Sequence, residues 1–132
     1  SDGLDIDFSS IKINNLEITN ALNDCADFSY GDYKINKLTV SFCGDKGVSV
    51  GEKSDFIAAN MVVSDALTGL ASKDSSVVNI LNYRALRTET CIDGFQKKIE
   101  FNGSITNIDQ YFCPDGYISF DNQSTITIAN EL

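Results

Sequence analysis

Two groups of side chains could do chemistry by type and spacing. Asp5 and Asp7 are two residues apart, and Asp27 follows Asp5 by twenty-two. Carboxylates brought together repel unless a cation or a proton is shared, so the set reads as Ca²⁺ ligands or as a carboxylate pair with a raised pKa. The plain alternative is solvated surface acids, with Ser29 and Ser49 relieving the row. The second group is Tyr83, Arg84, Arg87 and Lys97, within NYRALRTETCIDGFQKK, which holds both arginines of the chain. These cations suit an anionic sugar or a partner's acidic surface, with Tyr83 as a stacking platform. The plain alternative is a longer loop whose charges keep the surface solvated. Lys53 and Lys73, beside Asp55 and Asp74, read as charges that steady turns and contribute little individually.

Composition removes several chemistries. The chain has no histidine, which excludes Ser-His-Asp and Cys-His catalysis. Its four cysteines, Cys25, Cys43, Cys91 and Cys113, show no C-x-x-C spacing, which argues against zinc. Cys91 and Cys113 are twenty-two residues apart and fit either a disulfide or stacked free thiols, while Cys25 and Cys43 have no obvious pairing. Nineteen acids against ten bases give a net charge of −9, which argues against nucleic acid and favours cations or basic partners. No apolar run is long enough to span a membrane, and SDGLDIDFSS is not a signal peptide.

What must position these residues is a repeat. Gly3, Cys25, Gly47 and Gly69 are spaced by twenty-two residues, as are Gly94 and Gly116, with a step of twenty-five between Gly69 and Gly94. After the early anchors the chain alternates: Leu4, Ile6 and Phe8 oppose Asp5 and Asp7, and Ala26, Phe28 and Tyr30 oppose Asp27 and Ser29. That period of two marks half-buried strands. A second pattern follows, in which Ile13, Leu16 and Ile18 match Ile35, Leu38 and Val40, then Ala58, Met61 and Val63, then Ile80, Tyr83 and Ala85. β-branched and aromatic residues dominate, so strand is favoured over helix. One such unit, stacked at the strand spacing of about 4.8 Å, is one rung of a parallel β-helix. The turns would also suit a β-sandwich, but a sandwich has no reason to hold a constant spacing through successive units.

The segments GDKGVSVGEKS, GLASKDSS and DGFQKK resemble right-handed parallel β-helix repeats of bacterial surface proteins, including those that carry spore-coat-H-like kinase domains. The wider pectate-lyase-like family contains polysaccharide lyases, hydrolases and epimerases, so the resemblance implies a carbohydrate-related role. No kinase motif is present.

The sequence is therefore read as all-β, a short right-handed parallel β-helix of about six rungs. Residues 1–132 are expected to be a single domain, a fragment of a larger extracellular or cell-surface protein, with 111–132 as a C-terminal cap. The uncapped first rung predicts a flanking domain or a second copy at that end. The expected function is a structural or binding module presenting a rigid surface to glycans or protein partners, with no catalytic residue assigned and no cofactor other than Ca²⁺. The alternative is a polysaccharide-active enzyme using Asp5, Asp7 and Asp27.

Overall fold

Alternation of apolar and polar residues lays the chain out as strand after strand, and no element of the computed structural model, which describes all of Ser1–Leu132, is a helix. The strands are β1 (Leu4–Asp7), β2 (Ser10–Ala21), β3 (Ala26–Ser29), β4 (Asp32–Cys43), β5 (Lys46–Val50), β6 (Asp55–Lys73), β7 (Val77–Phe95), β8 (Ile105–Phe112), β9 (Tyr117–Phe120) and β10 (Thr125–Glu131). Every pairing is parallel, and the strands wind into a β-solenoid of about six turns with a spacing near 22 residues. Nothing in the chain is a helix long and apolar enough to cross a membrane.

Register turns sequence offsets into vertical neighbours. Leu4 pairs with Ala26, Ala26 with Val48, Val48 with Leu70, and Leu70 with Ile92. The column of Ile13, Ile35, Ala58, Ile80, Ile108 and Ile128 runs likewise through the next face. Strands bend where two successive residues face outward, as at Asn36-Lys37 in β4, whose burial alternates on either side of that pair. Each turn thus has three faces. The first is made of β1, β3, β5, the ends of β6 and β7, and β9.

The predicted inward residues other than Phe8 and Tyr30 form the core or pack against it. Phe28, Leu38, Val40, Met61, Val63 and Tyr83 belong to one cluster of 24 buried residues, each large side chain contributing roughly 1.5–3 kcal/mol on leaving water. Aromatics interlock across turns, with Phe28 against Tyr33 at 5.0 Å and Phe56 at 5.2 Å between ring centroids. Small residues are required where side chains from the next face cross the axis. A Cβ on Gly69 would collide with the Tyr83 hydroxyl, which donates to the Cys91 carbonyl at 2.6 Å.

Three expectations are corrected. Leu70 pairs with Ile92 and Gly94 with Phe120, so on the first face the spacing holds at twenty-two through Cys91 and the glycines at 94 and 116 are not rung anchors. The long step comes later: Val77 pairs with Asp55 and with Ile105, steps of 22 and 28, which places six extra residues between β7 and β8. Cys25 and Cys43 are bonded to each other, as are Cys91 and Cys113, leaving no free thiol. Cys43 comes almost a full turn after Cys25, four residues short of the Gly47 that precedes Ala26's partner Val48, which brings the two α-carbons within 5.3 Å.

Candidate functional site

The outward side of the first face carries the densest polar chemistry. Asp5, Asp27, Ser49, Ala71, Asp93 and Ser119 form one column there, in consecutive turns. Asp7 and Ser29 begin the neighbouring column, where the Ser29 hydroxyl donates to Asp7 Oδ1 at 3.1 Å. Further along in that column Lys73 is only 9% exposed. Its chain runs over Gly51, where a Cβ would stand 3.2 Å from its Cε. Lys73 therefore ends the sixth strand inside this face instead of at a turn. It is not the counterpart of Lys53, which sits at the corner with φ 52°.

Below these columns, Asp2 and Asp24 occupy matching positions. Asp2 Oδ1 accepts the Asp24 N–H and Asp24 Oδ1 accepts the Lys46 N–H, both at 3.1 Å, so each carboxylate ties one turn to the next. Oxygens of Asp2, Asp24 and Asp27 all lie within 4.8 Å of one another. Burial, opposed by Lys73 and reinforced by Asp5, Asp24 and Asp2, pushes the Asp27 carboxyl up to about 6. Burial also raises Asp24, against the pull of the Lys46 N–H and ammonium. Asp5 is raised by burial and by Asp7 and Asp2, and Asp93 by burial against Lys46. Lys46 itself pairs with Asp45 at 2.9 Å.

One edge of the face is aromatic. Phe8 and Tyr30 follow Asp7 and Ser29 directly and stack with centroids 4.6 Å apart and planes at 10°. Phe101 meets Tyr30 edge-on at 6.2 Å, and the Lys53 ammonium stands 6.0 Å over the Phe101 ring. Phe101 arrives from the six-residue insertion, which folds back because Asp74 Oδ1 accepts the N–H groups of Lys97 and Lys98 at 2.7 and 2.8 Å. Lys98 then reaches Glu52 at 3.4 Å.

The acids singled out from sequence all lie on this face, with Asp5 paired to Asp27 and Asp7 one column over; the carboxylates that converge on Asp27 are Asp2 and Asp24. The second group is dispersed. Tyr83 is fully buried and offers no face to a ligand, because its position in the alternation is the inward one held by Leu38 and Met61 in earlier turns. Arg84 points outward from the third face over the Phe112 ring, 4.7 Å from its centroid. Arg87 sits at the following corner, where Asp65 takes its Nε and Nη2 at 2.9 and 3.0 Å. Lys97 lies in the insertion, at the opposite end of the first face. Sequence reasoning passed over Asp2 with Asp24, although the pair carries the spacing of one turn, and it set Phe8 and Tyr30 on the inward side with Leu4 and Ala26, whereas the left-handed corner at each ends the alternation and leaves Phe8 exposed and Tyr30 half-buried. Phe101 left no such signal, since only the folded insertion brings it here; Lys73 follows Gly51 by one turn, but its type was read as a turn charge.

A scan against protein-family models finds no match, and comparisons with curated proteins and with solved structures return none either.

Proposed function

We propose that the chain is a non-catalytic binding module whose first face takes a polysaccharide. The observation that carries this reading is the Phe8–Tyr30 stack beside the Asp7, Ser29 and Asp27 row. A sugar offers an apolar C–H face and a rim of hydroxyls, and sites for such ligands combine an aromatic surface with a few placed polar groups. Phe8 is 76% exposed and holds φ at 50°, a left-handed conformation that costs a non-glycine residue roughly 1–2 kcal/mol. The same conformation recurs at Tyr30 and Lys53, the matching positions of the next turns, so it belongs to the corner; what a ligand-stacking role accounts for is the exposure of so large an apolar ring there. The two disulfides fit a protein that works outside the reducing cytosol, in keeping with the bacterial-surface β-helices that the repeat resembles.

The test is a glycan array followed by calorimetry on the glycans retained. The reading predicts that Phe8→Ala weakens binding at least about tenfold, or about 1.4 kcal/mol, while unfolding by heat is little changed. An array with no binder, or binding indifferent to Phe8→Ala, would remove it. A second reading, a polysaccharide hydrolase, is favoured by one observation: an Asp27 carboxyl near 6 has the poise of a general acid, with Asp24 close by. It predicts new reducing ends in the bound glycan, lost in Asp27→Asn.

A further inference from the structure

We propose that Asp2, Asp24 and Asp27 hold a hard divalent cation of the Ca²⁺ kind, with the Ser49 hydroxyl as a further oxygen donor. Ligand oxygens about 2.3–2.6 Å from a common ion stand no more than about 5 Å apart, and these carboxylates satisfy that limit at 4.8 Å. The donors are all oxygen, with no thiolate free and no imidazole in the chain, which selects a hard ion over zinc or copper.

Two features prepare the site. The turn-to-turn bonds to the N–H groups of Asp24 and Lys46 each engage Oδ1 of a carboxylate, which orients Asp2 and Asp24 and leaves the other oxygen of each available. No cation of the chain is ion-paired with the group, since the ion pairs are Lys46 with Asp45, Arg87 with Asp65 and Lys98 with Glu52, although the Lys46 ammonium acts on Asp24 and Lys73 on Asp27 from beyond that distance.

Ser49 is the independent observation. It is the Cα partner of Asp27 and shares its outward side, it is fully buried, and its hydroxyl has no hydrogen-bond partner. Of the five buried side-chain atoms without a partner it is the one in the Asp27 column, and a buried hydroxyl there is costly to maintain unless something meets it. Lys73 opposes the ion, since its charge already acts on Asp27. Its removal should therefore tighten binding.

The experiment uses the full chain, stripped with a chelator, titrated with Ca²⁺ alone in a calorimeter and followed by thermal unfolding. The wild type should bind one Ca²⁺ and unfold at a higher temperature with it. Asp24→Asn keeps an acceptor for the Lys46 N–H yet should weaken binding at least tenfold, as should Asp27→Asn. Ser49→Ala should weaken it severalfold, and Lys73→Met should strengthen it. Asp7→Asn, outside the group, should stay within twofold of wild type. Absence of heat and of any thermal shift at millimolar Ca²⁺, or an affinity unchanged by Asp24→Asn, would overturn the proposal. Neither outcome depends on whether a glycan binds.

Discussion

Replacing Asp27 with Asn should stabilise the protein at neutral pH, and by an amount that vanishes in acid. In the unfolded chain this carboxyl titrates near 3.8, and in the folded one near 6. The folded state therefore holds the proton more tightly, so the stability linked to this group is greatest below 3.8 and is lost as pH rises through 6. The gap between the two values corresponds to about 3 kcal/mol at 1.36 kcal/mol per pH unit. Asp27 is only half-buried, and solvent screening reduces the figure to about 1–1.5 kcal/mol. Asn keeps the shape and removes the charge, including its repulsion with Asp5, Asp24 and Asp2, at the loss of the attraction to Lys73. Urea denaturation in chelator at pH 7.5 and at pH 3.5 measures both ends. The variant should gain about 1–1.5 kcal/mol at pH 7.5 and almost nothing at pH 3.5. A variant no more stable than wild type at pH 7.5, or one with the same gain at both, would refute the electrostatic reasoning.

Two further perturbations test the core. Tyr83→Phe removes the buried bond to the Cys91 carbonyl and should cost about 1–2 kcal/mol in denaturant unfolding, with no effect on glycan binding, because the ring is wholly internal. Replacing Cys91 and Cys113 together by Ala opens a link spanning 22 residues and should cost about 2–4 kcal/mol, read as a lower urea midpoint.

Much of the architecture was legible because stacking and alternation are both simple periods. Leu4, Ala26, Val48 and Leu70 lie one above another as their spacing requires. Taking glycine identity as the marker failed at Gly94, since the rung position after Gly69 is held by Cys91 and the chain lengthens only beyond β7. The Cys25–Cys43 bond was hidden because it closes nearly one full turn, a relation that a search for whole-turn spacing misses. At the site, Asp27 was visible by its place in the alternation. Ser49 was legible in the same way, one turn after Asp27, whereas the Lys73 side chain crossing Gly51 and the insertion carrying Phe101 onto Tyr30 are contacts that no short stretch encodes. Tyr83 was misread because its aromatic type was weighed above its parity, which is inward.

The first face and its carboxylates come together only if adjacent turns lie directly over one another, and engineered cross-links test that most directly. Thr39 and Val62 are outward Cα partners on neighbouring turns, and Arg84 is the partner of Val62 one turn further. Partners at the strand spacing of about 4.8 Å fall within disulfide reach, and residues two turns apart, at about 9.6 Å, do not. Peptide mapping of the oxidised variants should find a 39–62 bond when Thr39→Cys is combined with Val62→Cys, and none when Thr39→Cys is combined with Arg84→Cys. A protein that forms the second bond, or fails to form the first while still folding, would contradict the stacked solenoid and the site built on it.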